Sequence, residues 1–338
     1  MQRSFSFETS SNSPGSPRHA SIAQLRKGDQ IADAVYLVEV ANFKQTRNNK
    51  HFIQLVLRDR SGSIKAVRWE ASQELYNSFT TEDFLKIRGR VEEYQQNLQI
   101  VVDDLAAVPP ESVDFEEFLP MAERKPEEME RELLQEIASI RDAHLKALLL
   151  AFVEDQEIRK GLLRCPAGKA LHHAYVGGLL EHILSLMGAA KLLVKNYPKL
   201  NLDMLLTAAL LHDIGKIREL SYTRSFNYTD EGQLVGHIGI GLLLLAEKAK
   251  AVPDFPPELL IQIQHIIASH HGIPEHGAIK HPMTPEAIVF HYLDDLDAKL
   301  AMLDGLEKEL HVSSEATETQ RRWTEFKPSL GRRIFFPG

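Results

Sequence analysis

The sequence predicts a multidomain chain, a small all-β barrel followed by an all-α helical bundle. Two observations carry this. Between about Ser21 and Pro109 apolar residues recur at every second position in short runs, and beyond Pro126 they recur at the 3.6-residue period of helices. A third observation separates the two parts: Pro109 and Pro110 open an acidic stretch that ends near Pro126. At 338 residues the chain has room for two or three domains.

Residues 1–20 are rich in Ser, Pro and Asn without apolar period and are expected to form a disordered tail. In residues 21–109, Ile31 to Val40 and Phe52 to Leu57 are rich in β-branched and aromatic residues. Asp59 to Gly62 reads as a tight turn into a paired strand, Ile64 to Trp69. Phe84 to Val91 places Leu85, Ile87 and Val91 on one face and Lys86, Arg88 and Arg90 on the other. Leu98, Ile100 and Val102 continue the period of two, and Ser72 to Ser78 suits a short helix. Five strands with a helix after the third is the element order of an OB-fold, a barrel that often holds single-stranded nucleic acid.

Residues 110–126 read as a linker, 127–312 as the helical domain and 313–338 as a C-terminal tail. Glu127 to Glu154 reads as one amphipathic helix burying Leu133, Leu134, Ile137, Ile140, Leu145, Leu148 and Leu149. Further helices are expected near Leu171–Val194, Leu202–Ile214, His237–Lys250, Pro257–His270 and Pro285–Leu310. Glu219 to Leu234 interrupts them, and its Tyr222, Phe226 and Tyr228 suggest a small hairpin.

The formal net charge of -8 is unfavourable for a nucleic-acid partner, but local patches matter more than the sum. From Phe43 to Arg60, the bases Lys44, Arg47, Lys50, Arg58 and Arg60 face a single acid, Asp59. Cys165 is the only cysteine, which excludes an intrachain disulfide and a cysteine-based metal site. Apolar runs are too short to span a bilayer and the N-terminus lacks a signal-peptide pattern, so a cytoplasmic protein without membrane partner is expected.

Most of the fifteen histidines fall between His172 and His291. A strongly apolar helix, Met204 to Leu211, runs into His212-Asp213 and is expected to be stopped by Gly215 acting as a C-terminal cap. An ionisable pair at the end of a buried helix is costly unless neutralised, and a divalent cation would neutralise it. His182 lies on the preceding helix, His237 opens a later one, and His270 and His271 close the next. Asp294, Asp295 and Asp297 sit in an otherwise apolar helix.

His182, His212-Asp213 and Asp294 resemble, in order and spacing, the pattern of HD-domain phosphohydrolases. The runs Cys165-Pro166-Ala167-Gly168-Lys169, His172 to Gly178 and Trp323-Thr324-Glu325 are similar to those of the YhaM-like exoribonucleases, which join an OB-fold to an HD domain and trim RNA from its 3′ end. The resemblance implies a first metal on His182, His212, Asp213 and Asp294. It implies a second on His237 and His270, with His271 the alternative to His270 and Asp213 bridging. Manganese is favoured, and iron, nickel, zinc, cobalt and magnesium also suit such donors.

Asp213 and Lys216 are the catalytic candidates, Lys216 as a point charge for a phosphate oxygen, with a solvated lysine as the plain alternative. Lys169, His172 and His173 are candidates to touch the substrate phosphate. Phe43, Phe52, Trp69 and Tyr94 could stack bases, flanked by Lys44, Arg47, Lys50 and Arg58, although part of this aromatic set is expected in the barrel core. The expected partner is single-stranded RNA or DNA, with a homo-oligomer as a further expectation. Two other readings stand beside the exonuclease: a phosphohydrolase of small or cyclic nucleotides, and a non-catalytic nucleic-acid-binding regulator.

Overall fold

The computed structural model describes residues 21–95, 97–114, 117–169, 173–222, 226–312 and 322–337. The expected disordered tail, residues 1–20, and His172 lie outside them. The chain separates into two compact units, Met1–Pro120 and Met121–Gly338.

The first unit is a closed barrel of five strands, β1 (Gln30–Gln45), β2 (His51–Asp59), β3 (Gly62–Trp69), β4 (Phe84–Tyr94) and β5 (Asn97–Val108), in the order β1-β2-β3-β5-β4. The period of two decides what faces inward. Ile53, Leu55 and Leu57 of β2, Leu85, Ile87 and Val91 of β4, and Ile100 and Val102 of β5 all belong to one core. At 16 residues β1 is long enough to pair with β2 at one end and β4 at the other, with register shifts where it bends. The expected turn at Asp59 is built by its buried carboxylate, which accepts the N–H groups of Ser61 at 2.7 Å and Ile22 at 2.7 Å. Helix α1 (Gln73–Asn77) lies between β3 and β4 and is capped by the Ser72 hydroxyl, which accepts the Leu75 N–H.

Residues 110–126, expected as a linker, are divided between the units. Val113 and Phe118 are buried with Val35, Leu37 and Phe84 of the barrel, and the division falls after Pro120.

The second unit is helical: α2 (Pro126–Ser139), α3 (Ala143–Val153), α4 (Gln156–Arg164), α5 (Gly178–Asn196), α6 (Leu202–Leu211), α7 (Lys216–Glu219), α8 (Asp230–Ala251), α9 (Pro257–Ser269) and α10 (Pro285–Val312). A short pair of strands, β6 (Leu220–Ser221) and β7 (Asn227–Tyr228), forms where the hairpin was expected. The single helix expected over Glu127–Glu154 is two. Ile140 is extended, and the Asp142 carboxylate accepts the N–H groups of His144 and Leu145, starting α3 afresh. Of the predicted stripe, Leu134 is exposed and the other six residues are buried. Helix α4 was not anticipated; Asp155 caps it in the same way.

Helix α6 is the centre of this unit. Every residue from Met204 to Leu211 is buried, and α3, α5, α9 and α10 pack around it. The described part of the expected C-terminal tail makes a small ladder in which Trp323 lies opposite Phe335 and Lys327 opposite Arg332. Among the described residues no helix is long and apolar enough to cross a membrane.

Candidate metal centre

Because α6 is buried on all sides, the residues that follow it are delivered into the interior. His212 is 0% and Asp213 2% exposed. The His212 ring is pinned by Nδ1, which lies 3.1 Å from the carbonyl oxygen of Ala209, so that Nε2 turns toward α5 and α10. There His182 Nε2 approaches to 3.2 Å, and it lies 3.2 Å from Asp294 Oδ1. His212 Nε2 lies 3.3 Å from Asp213 Oδ2 and 3.6 Å from Asp294 Oδ1. Three helix segments thus bring His182, His212, Asp213 and Asp294 together.

The other oxygen of Asp213 faces a second group. Oδ1 is 3.4 Å from His237 Nε2 and 3.6 Å from His270 Nε2. His271 joins it, its ring 4.2 Å from that of His270, and the ligand atoms of His237, His270 and His271 all lie within 4.8 Å of one another. His270, the expected ligand, and His271, its alternative, thus both stand beside His237 at the end of α9.

Asp213 Oδ1, His237 Nε2, His270 Nε2 and His271 Nδ1 are buried with no hydrogen-bond partner among the described residues. An orphaned buried polar atom costs about 1–3 kcal/mol, and four of them belong to this one cluster of residues. Separations of 3.4 and 3.6 Å are long for hydrogen bonds but suit atoms that face one ion about 2.0–2.2 Å away. Imidazoles with carboxylates are also the donor set of zinc, manganese, iron and nickel. The residues fit a divalent metal.

Charge is arranged consistently. Burial opposes charging of His182 and His212, but Asp294 and Asp297 around the first and Asp213 and Asp294 around the second outweigh it, lifting His212 to about 10. Burial would raise Asp213, yet Lys216 and His212 hold it well below the carboxylate range, and His182 and His212 do the same for Asp294. His270 is pushed down by burial, and His271 is pushed down to about 3 by burial and then by His270. Carboxylates stay anionic while these two imidazoles keep free lone pairs.

Residues 179–299 match the family of the HD domain, and residues 37–108 match the OB-fold nucleic acid binding domain. The chain joins an OB-fold to an HD domain. HD domains are metal-dependent phosphohydrolases and bind divalent metals, so the coarse class is a hydrolase linked to nucleic acid. Among solved structures, the second OB-fold domain of replication protein A from Methanococcus maripaludis is 21% identical, covering 27% of this chain and 95% of that one at TM-score 0.23. The SSB domain of a Synechococcus sp. protein is 17% identical over 24% and 96%, at TM-score 0.21. The aspartyl-tRNA synthetase from Entamoeba histolytica is 12% identical over 76% and 61%, at TM-score 0.25.

Within the HD domain several expectations are corrected. Gly215 is not a left-handed cap: its φ is -64°, and the α6 cap is His212. It is needed because a Cβ there would lie 2.0 Å from the carbonyl oxygen of His237, so only glycine lets α7 approach α8 this closely. Lys216 is not a free point charge. Its Nζ lies 2.6 Å from Asp213 Oδ2 and 2.6 Å from the carbonyl oxygen of Ala167, although it still lines the cleft. Both ring nitrogens of His173 are engaged within the unit, with Nδ1 2.7 Å from the Tyr175 hydroxyl and Nε2 3.1 Å from Asp297 Oδ2. Lys169 is exposed.

Two carboxylates have places that the sequence did not assign: Asp297, noted only as one of three aspartates in an apolar helix, and Glu219. Asp297 lies 2.7 Å from His182 Nδ1, and Glu219 lies 3.0 Å from His237 Nδ1 while also accepting the His237 N–H at 2.9 Å. The three-residue step from Asp294 to Asp297 places both on one helix face and is the signal that singles out Asp297 from Asp295; Glu219 has no such local signal. His276 and His291, given no role from sequence, line the cleft of about 200 Å³ that opens on the metal residues. His265 is structural, accepting the Met283 N–H.

On the OB-fold, Lys44, Phe52 and Trp69 stand opposite one another across β1, β2 and β3. The Phe52 and Trp69 rings are 5.0 Å apart and Trp69 is 47% exposed, which makes an outward aromatic surface. Phe43 instead packs inward, against Tyr76 and the barrel core. The bases of this stretch are largely partnered: Lys44 belongs to β1 and bonds Gln54, Lys50 pairs with Glu70, and Arg58 of β2 faces Glu39. Arg47 is exposed in the β1–β2 turn, and Tyr94 is exposed at the end of β4.

Proposed function

We propose that the chain is a metal-dependent 3′–5′ exoribonuclease in which the OB-fold holds a single strand and the HD domain hydrolyses its terminal phosphodiester bond. The observation that carries the hydrolytic part is the clustering of four orphaned buried polar atoms, Asp213 Oδ1 and one ring nitrogen each of His237, His270 and His271, with the Nδ1 atoms of His237 and His270 already bonded. RNA as substrate and the direction of attack come from the resemblance to the YhaM-like exoribonucleases.

His182, His212, Asp213 and Asp294 would hold one ion, and Asp213, His237, His270 and His271 a second. When bound, such ions, manganese favoured, supply Lewis acidity and an activated water. The chain's own groups do the rest. Asp213 faces both sets with its two oxygens, and the ammonium of Lys216 holds that carboxylate anionic and adds positive charge beside the cleft. His276 and His291 line the cleft wall and would meet the scissile phosphate or the leaving oxygen there. Phe52 and Trp69 offer π-faces to bases without regard to sequence.

Incubation of the full chain with Mn²⁺ and 5′-end-labelled single-stranded RNA should yield a descending ladder. Asp213→Ala should abolish the ladder and leave RNA binding measurable. Inert RNA with rapid turnover of small or cyclic nucleotides would replace this reading with a nucleotide phosphohydrolase, and binding without any hydrolysis would favour a regulator.

A further inference from the structure

Four imidazoles of the centre are oriented through Nδ1, and they are oriented in two different ways. His212 and His270 lie at helix ends and bond the carbonyl three residues back, Ala209 at 3.1 Å and Ile267 at 2.8 Å. His182 and His237 are instead backed by carboxylates, Asp297 at 2.7 Å and Glu219 at 3.0 Å. Each half of the centre therefore carries one carbonyl-held and one carboxylate-held histidine. We propose that Asp297 and Glu219 are positioning residues that set the metal affinity of the two halves separately, Asp297 through His182 and Glu219 through His237. This rests on the metal-centre reading above.

The physical reason is that a carboxylate behind an imidazole does two things that a carbonyl does less well. It fixes the tautomer, with the proton on Nδ1 and the lone pair of Nε2 toward the ion, and its charge raises the basicity of that lone pair. Both carboxylates are themselves held in place. Asp297 accepts from His182, His173 and the Ser185 hydroxyl, so three side chains position one group. His173, Asp297 and His182 also lie near enough together to hold an ion, but His182 Nδ1 at 2.7 Å from Asp297 is at hydrogen-bond distance, which favours a relay. Glu219 uses one oxygen for both the His237 ring and the His237 N–H. That N–H begins a new helical segment, since Gly236, at φ 73°, breaks α8 just before it. Ring and backbone of His237 are thus set by a single atom. Asp297 and Glu219 lie on different elements and bond different histidines, so the perturbations should be separable.

The test uses the full chain, stripped of metal and titrated with Mn²⁺ by calorimetry and by the electron paramagnetic resonance signal of free Mn²⁺. Two binding steps are expected in the wild type. Asp297→Asn should weaken one step about 10–100-fold and Glu219→Gln the other, with the double variant showing both losses. Each substitution is isosteric and keeps an oxygen to accept the imidazole N–H. Ser185→Ala, which removes only a donor to Asp297, should weaken the same step as Asp297→Asn by less, and it serves if that variant folds poorly. Unchanged affinities, or both variants weakening the same step while the wild type binds two ions, would overturn the proposal. A wild type that binds no Mn²⁺ would instead sink the metal-centre reading beneath it.

Discussion

A single methyl group at position 215 should disturb both the packing of α7 on α8 and the second half of the centre. Gly215 has ordinary helical angles, so alanine meets no backbone strain there. The added Cβ would instead lie 2.0 Å from the His237 carbonyl oxygen and 2.8 Å from the Gly241 nitrogen. Both are backbone atoms that cannot rotate away, so the segments must part by more than about 1 Å, at a cost on the order of 1–3 kcal/mol. For a unit of this size that corresponds to a fall in Tm of roughly 2–4 °C per kcal/mol. The displaced residue is His237, whose Nε2 now stands 3.4 Å from Asp213 Oδ1, so Gly215→Ala should also shrink the rise in Tm that Mn²⁺ produces. Thermal melts with and without Mn²⁺ measure both effects. Gly188→Ala is the control: nothing lies within 4 Å of its added Cβ, and the change should stabilise by about 0.5–1 kcal/mol. A Gly215→Ala protein with wild-type Tm and an undiminished metal shift would refute the close-approach argument.

Phe52→Ala and Trp69→Ala should each weaken single-stranded RNA binding by about 1–3 kcal/mol in fluorescence anisotropy, whereas Phe43→Ala should mainly lower barrel stability. Equal binding losses for all three would argue against an outward stacking surface. Asp155 caps α4 and bonds Lys248, whose side chain holds its carboxyl below the usual range. A depressed carboxyl stabilises the fold above its ordinary value and loses that contribution as the pH falls through the folded one. Asp155→Ala should therefore cost about 1 kcal/mol near neutrality and progressively less below about pH 4 in urea melts. A difference that stayed constant into acid would exclude the ion-pair contribution.

Much of this was legible locally. The change of period from 2 to 3.6 marked the two units, and the alternation of Leu85, Ile87 and Val91 already named the inward face of β4. The apolar run into His212-Asp213 foretold a buried ionisable pair, since nothing but a solvent-excluded helix tolerates such a sequence. Less legible were breaks set by a competing side-chain bond. The stripe through Ile140 ran on smoothly in sequence, but the Asp142 carboxylate captured the next N–H groups and divided the helix.

The sequence by itself determined the β-then-α architecture and the succession of strands and helix within the barrel, and it singled out candidate histidines and aspartates, because burial imposes a short-range period and metal-type residues stand out within it. Only the tertiary structure decided the partners. Asp297 reaches His182 across 115 positions, and Glu219 reaches His237 across 18. His173 turns to Asp297, and Gly215 serves a neighbouring helix instead of its own terminus. Which atoms meet depends on distances set by packing of the whole unit, and those distances leave no period in the chain.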